Sequence, residues 1–143
     1  HVLLVNLTNE GLVRFPFQFC YAVALAVRRI VEAILRDETK PIFVCDEGGF
    51  VAGYCFCQIQ DCRGTTVLTD RVEIYIDDLC VEENCRGQGI AKTLYAYVCA
   101  WAKEQGCSEF ASDCELDNTV SLQFHLNVGF REANRIICFT KKI

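Results

Sequence analysis

The chain has 143 residues, 52% of them hydrophobic, and a formal net charge of −5. This length fits one domain, residues 1–143, with a sizeable core, and no apolar run reaches the roughly 20 residues of a membrane-spanning helix. The acidic balance argues against a nucleic-acid partner, because binding to phosphates needs a basic face. Since neither a signal peptide nor a membrane-spanning run is visible, the sequence predicts a cytoplasmic protein without a membrane partner.

The N-terminal part of the chain predicts a strand, a helix and a hairpin. Residues Val2–Leu7 favour a strand, and a helix is predicted over Phe19–Arg36, where apolar and polar positions recur at helical spacing. Two further strands are then predicted, Ile42–Cys45 and Phe50–Ile59, joined by a hairpin turn at Asp46–Gly49.

The remaining elements alternate between strands and helices. The long helix carries apolar residues on one face, and Gly106 is predicted to end it. In chain order the predictions are a turn at Asp61–Thr65, a half-buried strand from Val72 to Val81, a helix over Gln88–Gln105, a strand over Glu109–Cys114, a short helix over Asn118–Asn127 and a closing strand over Arg135–Lys142.

The eleven cysteines are predicted to be free thiols, with disulfide or metal roles as the alternative. Their number is odd, no Cys-x-x-Cys pair occurs, and many lie in apolar segments, where cysteine behaves as a small buried hydrophobe. Burial is therefore predicted for Cys55, Cys57, Cys80 and Cys138, whereas polar neighbours predict exposure for Cys62, Cys85 and Cys107.

A glycine-rich segment, Arg86–Ala91, lies between the strand that ends near Val81 and the long helix. The N–H groups of such a loop and of the first helical turn have no helical partner, and the helix dipole favours an anion there. The guanidinium group of Arg86 adds a planar positive charge with several N–H donors. The spacing lacks the Lys-Ser/Thr ending of a P-loop and the third glycine of a dinucleotide fingerprint, so it indicates a diphosphate site of another kind.

This segment resembles motif A of the GNAT N-acetyltransferase superfamily, Arg/Gln-x-x-Gly-x-Gly/Ala, which binds the pyrophosphate of acetyl-coenzyme A. Ile76–Val81 occupies the place of that family's fourth strand, and Asn118, Ser121 and Gly129-Phe130 match its last motif. The resemblance covers Pro41–Ile143. It implies the GNAT fold, an α/β (α+β) arrangement in which helices flank a mixed, mostly antiparallel, twisted sheet with splayed strands four and five.

The resemblance also implies which residues bind acetyl-CoA. The backbone after Asp78 would follow the pantetheine arm, where an N–H group polarises the thioester carbonyl. For Asn118 the alternative is a helix N-cap, for which asparagine is well suited, and both roles are compatible. The implied cofactor-binding residues are Leu79, Cys80, Val81, Arg86, Gly87, Gln88, Gly89, Ile90, Ala91, Asn118 and Ser121; no metal is implied.

Three residues are candidates for moving protons. His125 stands where many GNAT enzymes carry the tyrosine that protonates the coenzyme A thiolate; the alternative is a histidine hydrogen-bonded within its helix. Asp77 is the first candidate for the base that deprotonates the amine, and Asp113 is the second. Because adjacent strand residues face opposite sides, either Asp77 or Asp78 is predicted to face the acceptor and the other to be structural.

The last third of the chain resembles the aminoglycoside 6'-N-acetyltransferases in particular, through Phe110–Asp113, Leu116–Asn118, His125 and Phe139–Lys142. This resemblance implies acetyl transfer to a primary amine of a small cationic acceptor by direct attack, without a covalent enzyme intermediate. A homodimer is implied as well. The alternatives are acetylation of a protein N-terminus, a lysine or a polyamine, and a non-catalytic acetyl-CoA sensor.

Overall fold

The structure is a computed structural model that describes residues 2–5, 33–34, 36–64 and 70–143. It divides into two compact units, His1–Asp113 and Cys114–Ile143, and each is described by itself. Most of the helix predicted over Phe19–Arg36 and the end of the first predicted strand lie outside the described residues. The prediction of a single domain stays a prediction.

The first unit contains a sheet of five strands in the order β1-β2-β3-β4-β5. Neighbouring strands from β1 to β4 are antiparallel, whereas β5 runs parallel to β4. The prediction of a mixed, mostly antiparallel sheet is therefore confirmed. The strands are β1 (Val2–Val5), β2 (Ile42–Asp46), β3 (Val51–Asp61), β4 (Val72–Val81) and β5 (Glu109–Ser112).

The predicted hairpin turn joins β2 to β3. The Gly49 N–H donates to Oδ1 of Asp46 (2.9 Å), and the Glu47 N–H donates to the carbonyl of Phe50 (2.8 Å). Gly49 has a φ of 90°, which side-chain-bearing residues rarely adopt. β3 continues beyond its predicted end at Ile59, so the turn that follows begins later than the sequence pattern indicates.

The long predicted helix is α1 (Ile90–Glu104), which follows a 3₁₀ turn at Glu83–Cys85. Gly106 ends it as predicted, with a φ of 81° and an N–H group that donates to the carbonyl of Lys103 (3.1 Å). A left-handed residue at this place closes a helix because its N–H reaches back to a carbonyl of the last turn.

The core of the first unit lies between α1 and the sheet. Leu94 and Val98 of α1 are fully buried, as is Phe43 of β2. The ring of Phe43 meets Tyr97 and Trp101 edge-on, with ring centroids 5.8 and 5.3 Å apart. Close packing of this kind fixes α1 against the sheet, and therefore also fixes the position of its N-terminal end.

The described cysteines are free thiols, but sequence context predicted their burial only in part. Cys62, predicted to be exposed, is buried, while Cys85 and Cys107 are half-buried. Cys80 and Cys138, predicted to be buried, are exposed. The predictions for Cys62, Cys80 and Cys138 were wrong, because the polarity of the neighbours in sequence does not specify which side chains the fold covers. The fully buried thiols are Cys55 and Cys57.

The second unit contains one short helix, α2 (Thr119–Asn127), close to the predicted range. Residues 131–143 form neither helix nor strand and are exposed, so the predicted strand over Arg135–Lys142 was wrong. Its apolar residues predict a strand by propensity alone, and a strand also needs a ladder partner, which propensity does not supply. None of the helices that the structure describes has both the length and the apolar character needed to cross a bilayer.

Candidate functional site

The carboxyl half of β4 has an open edge. Pairing between β4 and β5 ends at Ile76 and Ser112, while β4 continues to Val81. Over Asp77–Val81 the only ladder partner among the described residues is β3. The two strands thus stop pairing before β4 ends, in agreement with the prediction that strands four and five splay.

A β-bulge interrupts β4 where this edge begins. Phe56 of β3 pairs with Asp78 and Cys57 pairs with Ile76, so Asp77 is the extra residue of the bulge. Both aspartates are exposed. The strict alternation assumed from the sequence is therefore wrong here, because a bulge adds a residue and re-aims the side chains next to it.

Two tyrosines engage two of the carboxylates near this edge. Tyr54 donates its phenolic hydrogen to Oδ2 of Asp78, and Tyr75 donates to Oδ2 of Asp113 at 2.5 Å. Burial and then the Asp113 carboxylate raise the pKa of Tyr75 to about 12, and burial and Asp78 raise the pKa of Tyr54. Both phenols therefore stay protonated donors near neutral pH. Asp77 accepts no hydrogen bond from any residue that the structure describes.

The open edge presents backbone groups of β4. The Glu82 N–H donates to the carbonyl of Ala52 on β3 (2.9 Å). Because successive residues of a strand direct their N–H and C=O groups to opposite sides, those of Leu79 and Val81 face the open edge, whereas those of Cys80 face β3. Of the three residues predicted to follow the pantetheine arm, these two can therefore offer N–H groups.

The loop between β4 and α1 exposes a run of backbone donors. Within the described part of the chain, the N–H groups from Gly87 through Lys92 donate to no protein acceptor; the first helical bond is from Thr93 N to the carbonyl of Gly89 (2.9 Å). Gly87 and Gly89 have φ values of 75° and 80°, with open space where a Cβ would stand. Such a run at a helix N-terminus has the geometry and the partial positive charge that suit an anion.

Arg86 connects this loop to the open edge. Its Nε donates to the carbonyl of Val81 at 3.1 Å, and its other side-chain N–H groups donate to no residue that the structure describes. The side chain is exposed. One bond thus holds the guanidinium at the end of β4, while its charge stays next to the run of N–H groups.

Gly53 of β3 allows β4 and α1 to approach closely, and the sequence reasoning missed it. A Cβ at Gly53 would stand 2.8 Å from the carbonyl oxygen of Cys80, 3.2 Å from Cγ2 of Ile90 and 3.3 Å from Cγ2 of Val81. An isolated glycine inside a strand pattern is the signal that points to such a contact.

The second unit carries the other predicted site residues on α2. Asn118 is the N-cap, and its Oδ1 accepts from the Ser121 N–H (3.0 Å), which confirms the capping alternative. Nδ1 of His125 lies 2.7 Å from the carbonyl oxygen of Ser121, which only accepts, so Nδ1 carries a proton. The ring packs edge-on against Phe130, with centroids 5.1 Å apart.

The first unit therefore brings together the aspartates, the open edge of β4 and the donor loop, and the second unit holds Asn118, Ser121 and His125 on one short helix. A common active site formed by both sets stays a prediction. In the part of the chain that the structure describes, no group of three or more His, Cys, Asp or Glu side chains is placed to hold a metal ion.

Comparison with known proteins gives concordant results. The family model described as "Acetyltransferase (GNAT) family" matches residues 10–130. Aminoglycoside N(6')-acetyltransferase type 1 of Salmonella typhimurium strain LT2 is 29% identical over 116 residues, which are 78% of this chain and 76% of that protein. The enzyme of the same name from Acinetobacter genomosp. 13 is 44% identical over 69 residues, 48% of this chain and 47% of that protein.

A solved structure is similar over the whole chain. It is AAC(6')-Iy in complex with the bisubstrate analogue CoA-S-monomethyl-acetylneamine, with a TM-score of 0.76 and 26% sequence identity. The similarity covers 100% of this chain and 98% of that one.

Proposed function

Because the chain belongs to the GNAT family of acetyltransferases, we propose that it transfers the acetyl group of acetyl-CoA to a primary amine of an aminoglycoside. The amine attacks directly, without a covalent enzyme intermediate. One observation carries the proposal: β4 presents the bulged Asp77 where its open edge begins, and a single 3₁₀ turn, Glu83–Cys85, connects β4 to the loop that bears the run of backbone donors. The relatives named as aminoglycoside acetyltransferases, and the CoA–acetylneamine analogue in a similar structure, support the choice of both substrates.

In this proposal the loop binds the diphosphate of acetyl-CoA. The N–H groups from Gly87 through Lys92, which have no acceptor among the described residues, and the dipole of α1 suit a doubly charged anion. The N–H groups of Leu79 and Val81 on the open edge bond the pantetheine arm and the thioester carbonyl. Acetyl-CoA supplies the acetyl group and the thiol that leaves. Contacts from Asn118 and Ser121 to the cofactor remain predictions from the family resemblance.

We expect Arg86→Ala to raise the KM for acetyl-CoA about 10-fold to 150-fold with little change in kcat, because a charge-assisted bond to phosphate is worth roughly 1.5–3 kcal/mol. Arg86→Lys is the matched variant, since it keeps the charge but loses both the planar guanidinium group and the bond to the Val81 carbonyl. Initial rates at varied acetyl-CoA measure both constants. An unchanged KM in Arg86→Ala would remove this residue from the diphosphate site.

The residues that we propose to contact the acceptor amine, Asp77 and Asp113, are acidic. An aminoglycoside amine is protonated near neutral pH and must lose a proton before it attacks. Asp77 is exposed and accepts no hydrogen bond from the described residues, so its carboxylate is available to take that proton, directly or through water. We propose Asp77 as the general base and Asp113 as a second carboxylate that attracts the cation.

We propose that His125 protonates the departing thiolate. Its Nδ1 donates to the Ser121 carbonyl, so Nε2 is the atom from which the proton would be transferred. His125→Ala is expected to lower kcat only about tenfold, because water can protonate a thiolate whose reference pKa is about 8.5.

The loss in His125→Ala should shrink as the pH rises above about 8.5, where a free thiolate is itself stable. His125→Gln keeps a polar side chain that cannot transfer a proton, and it should behave like His125→Ala. Full activity in either variant at neutral pH would show that His125 does not protonate the thiolate and only makes its hydrogen bond within α2. Steady-state kinetics between about pH 6.5 and about pH 9.5 measure how the loss of kcat depends on pH. This range extends roughly two pH units below the thiol pKa of about 8.5 and roughly one unit above it.

The proposal is tested by release of coenzyme A thiol in the presence of acetyl-CoA and a panel of amines. Neomycin and paromomycin form the sharpest pair, since paromomycin carries a hydroxyl where neomycin has its 6'-amine. Turnover of neomycin with much slower turnover of paromomycin supports a 6'-N-acetyltransferase. Turnover of peptides or spermidine in place of aminoglycosides assigns the alternative acceptors. Tight acetyl-CoA binding without any turnover indicates a sensor.

The homodimer, the cytoplasmic location and the absence of metal, nucleic-acid and membrane partners stay predictions. Light scattering after size-exclusion chromatography checks the first of them, and activity after dialysis against a chelator checks the requirement for metal.

A further inference from the structure

We infer that Tyr75 is a positioning residue for Asp113: its hydroxyl holds Oδ2 of that carboxylate, so that Oδ1 is presented to an ammonium group of the acceptor. The inference rests on the proposed function and deepens it, because it assigns a role in acceptor recognition to a residue outside the general base and the cofactor loop.

The register of the sheet brings the two side chains together. Tyr75 of β4 pairs with Ala111 of β5, and Asp113 is two residues after Ala111. Because side chains alternate along a strand, the side chains of Tyr75 and Asp113 point to the same face of the sheet. That face lies away from α1, since the neighbouring Phe110 contacts Tyr95 of α1 with ring centroids 5.3 Å apart. The hydroxyl of Tyr75 reaches Oδ2 of Asp113 at 2.5 Å, two residues beyond its pairing partner Ala111.

Asp113 lies just beyond the end of β5, where strand pairing no longer fixes the backbone that carries its carboxylate. The β4–β5 ladder ends at Ser112, one residue before it. The bond from Tyr75, at 2.5 Å, fixes the rotamer of this otherwise exposed side chain. A carboxylate that is already oriented loses less freedom when it binds a cation, and the complex is correspondingly tighter.

The tyrosine stays a donor across the working pH range. Burial and the hydrogen bond to Asp113 raise its pKa to about 12, and the negative charges of Asp113, Asp77 and Glu73 act in the same direction. Tyr54 makes the same kind of bond to Asp78, which has no assigned role in the reaction, and so provides an internal control.

Tyr75→Phe removes one hydroxyl and keeps the ring. We expect the KM for neomycin to rise about tenfold, which corresponds to the loss of one hydrogen bond to a charged group. The KM for acetyl-CoA and kcat should stay within about twofold of wild type, since neither depends on acceptor recognition by Asp113. Initial-rate kinetics with each substrate varied in turn give all three constants.

Three controls separate positioning from a general structural effect. Tyr54→Phe should leave the KM for neomycin within about twofold of wild type. In an Asp113→Asn background, Tyr75→Phe should have no further effect above about twofold, because residues that act as one unit are not additive. Thermal unfolding of each variant reports any loss of stability.

The inference is overturned if Tyr75→Phe leaves the KM for neomycin unchanged, if its effect persists in full in the Asp113→Asn protein, or if Tyr54→Phe raises that KM equally. If the wild-type chain acetylates no aminoglycoside, the proposed function fails and this inference fails with it. Normal turnover by the wild-type protein together with an unaffected Tyr75→Phe variant contradicts the inference alone.

Discussion

Replacing Asp77 by asparagine is expected to lower kcat for acetyl transfer to an aminoglycoside about 100-fold to 10,000-fold, the usual contribution of a general base. Asparagine keeps the size of the side chain and its place on the bulge but cannot accept the proton of the ammonium group. The KM for acetyl-CoA should change little, since the residues proposed to bind the diphosphate and the pantetheine arm do not include Asp77. Steady-state rates at saturating acetyl-CoA measure the effect.

Asp78→Asn is the matched control for this prediction. The two aspartates are adjacent on one bulge and both are exposed, but Asp78 is held by the hydroxyl of Tyr54. An asparagine there still accepts that bond, so kcat should stay within about threefold of wild type. If Asp78→Asn is the variant that loses activity while Asp77→Asn is nearly normal, the assignment of the base within the pair is wrong.

The part of the site that depends on local rules was predictable from the sequence. A strand, a loop with two glycines and an amphipathic helix form one continuous segment of the kind that suits an anion, and the structure has α1 beginning at Ile90, close to the predicted Gln88. The cap at Asn118 and the helix end at Gly106 follow from residue type in the same way. These features require no knowledge of what packs beside them.

The features that depend on neighbouring strands were not predictable. Alternation cannot show the bulge at Asp77, because a bulge exists only relative to the register of β3. The bonds from Tyr54 and Tyr75 to aspartates link residues far apart in the sequence, and strand pairing alone brings them together. The predicted strand at Arg135–Lys142 failed for a related reason, since propensity does not provide a ladder partner.

Gly53→Ala is expected to lower kcat/KM for acetyl-CoA roughly 30-fold to 100-fold, because a displacement approaching 1 Å at a reacting group costs about two orders of magnitude. The new methyl carbon would stand 2.8 Å from the Cys80 carbonyl oxygen, where ordinary contacts begin at 3.4 Å. The carbonyl belongs to backbone and cannot rotate away, so β4 must shift, and the N–H groups of Leu79 and Val81 shift with it. Isothermal titration with coenzyme A and initial-rate kinetics measure the change.

Gly48→Ala separates this local effect from a loss of stability. Gly48 has a φ of 69° in the hairpin turn and has nothing within 4 Å of its added Cβ, so the substitution strains the backbone by about 1–2 kcal/mol without touching the site. Gly48→Ala should therefore unfold at a lower temperature but bind coenzyme A normally below that temperature. If Gly53→Ala does the same, the close approach of β3 to β4 serves the fold alone. If only Gly53→Ala loses affinity, the small residue on β3 sets the position of the backbone that holds the acetyl donor.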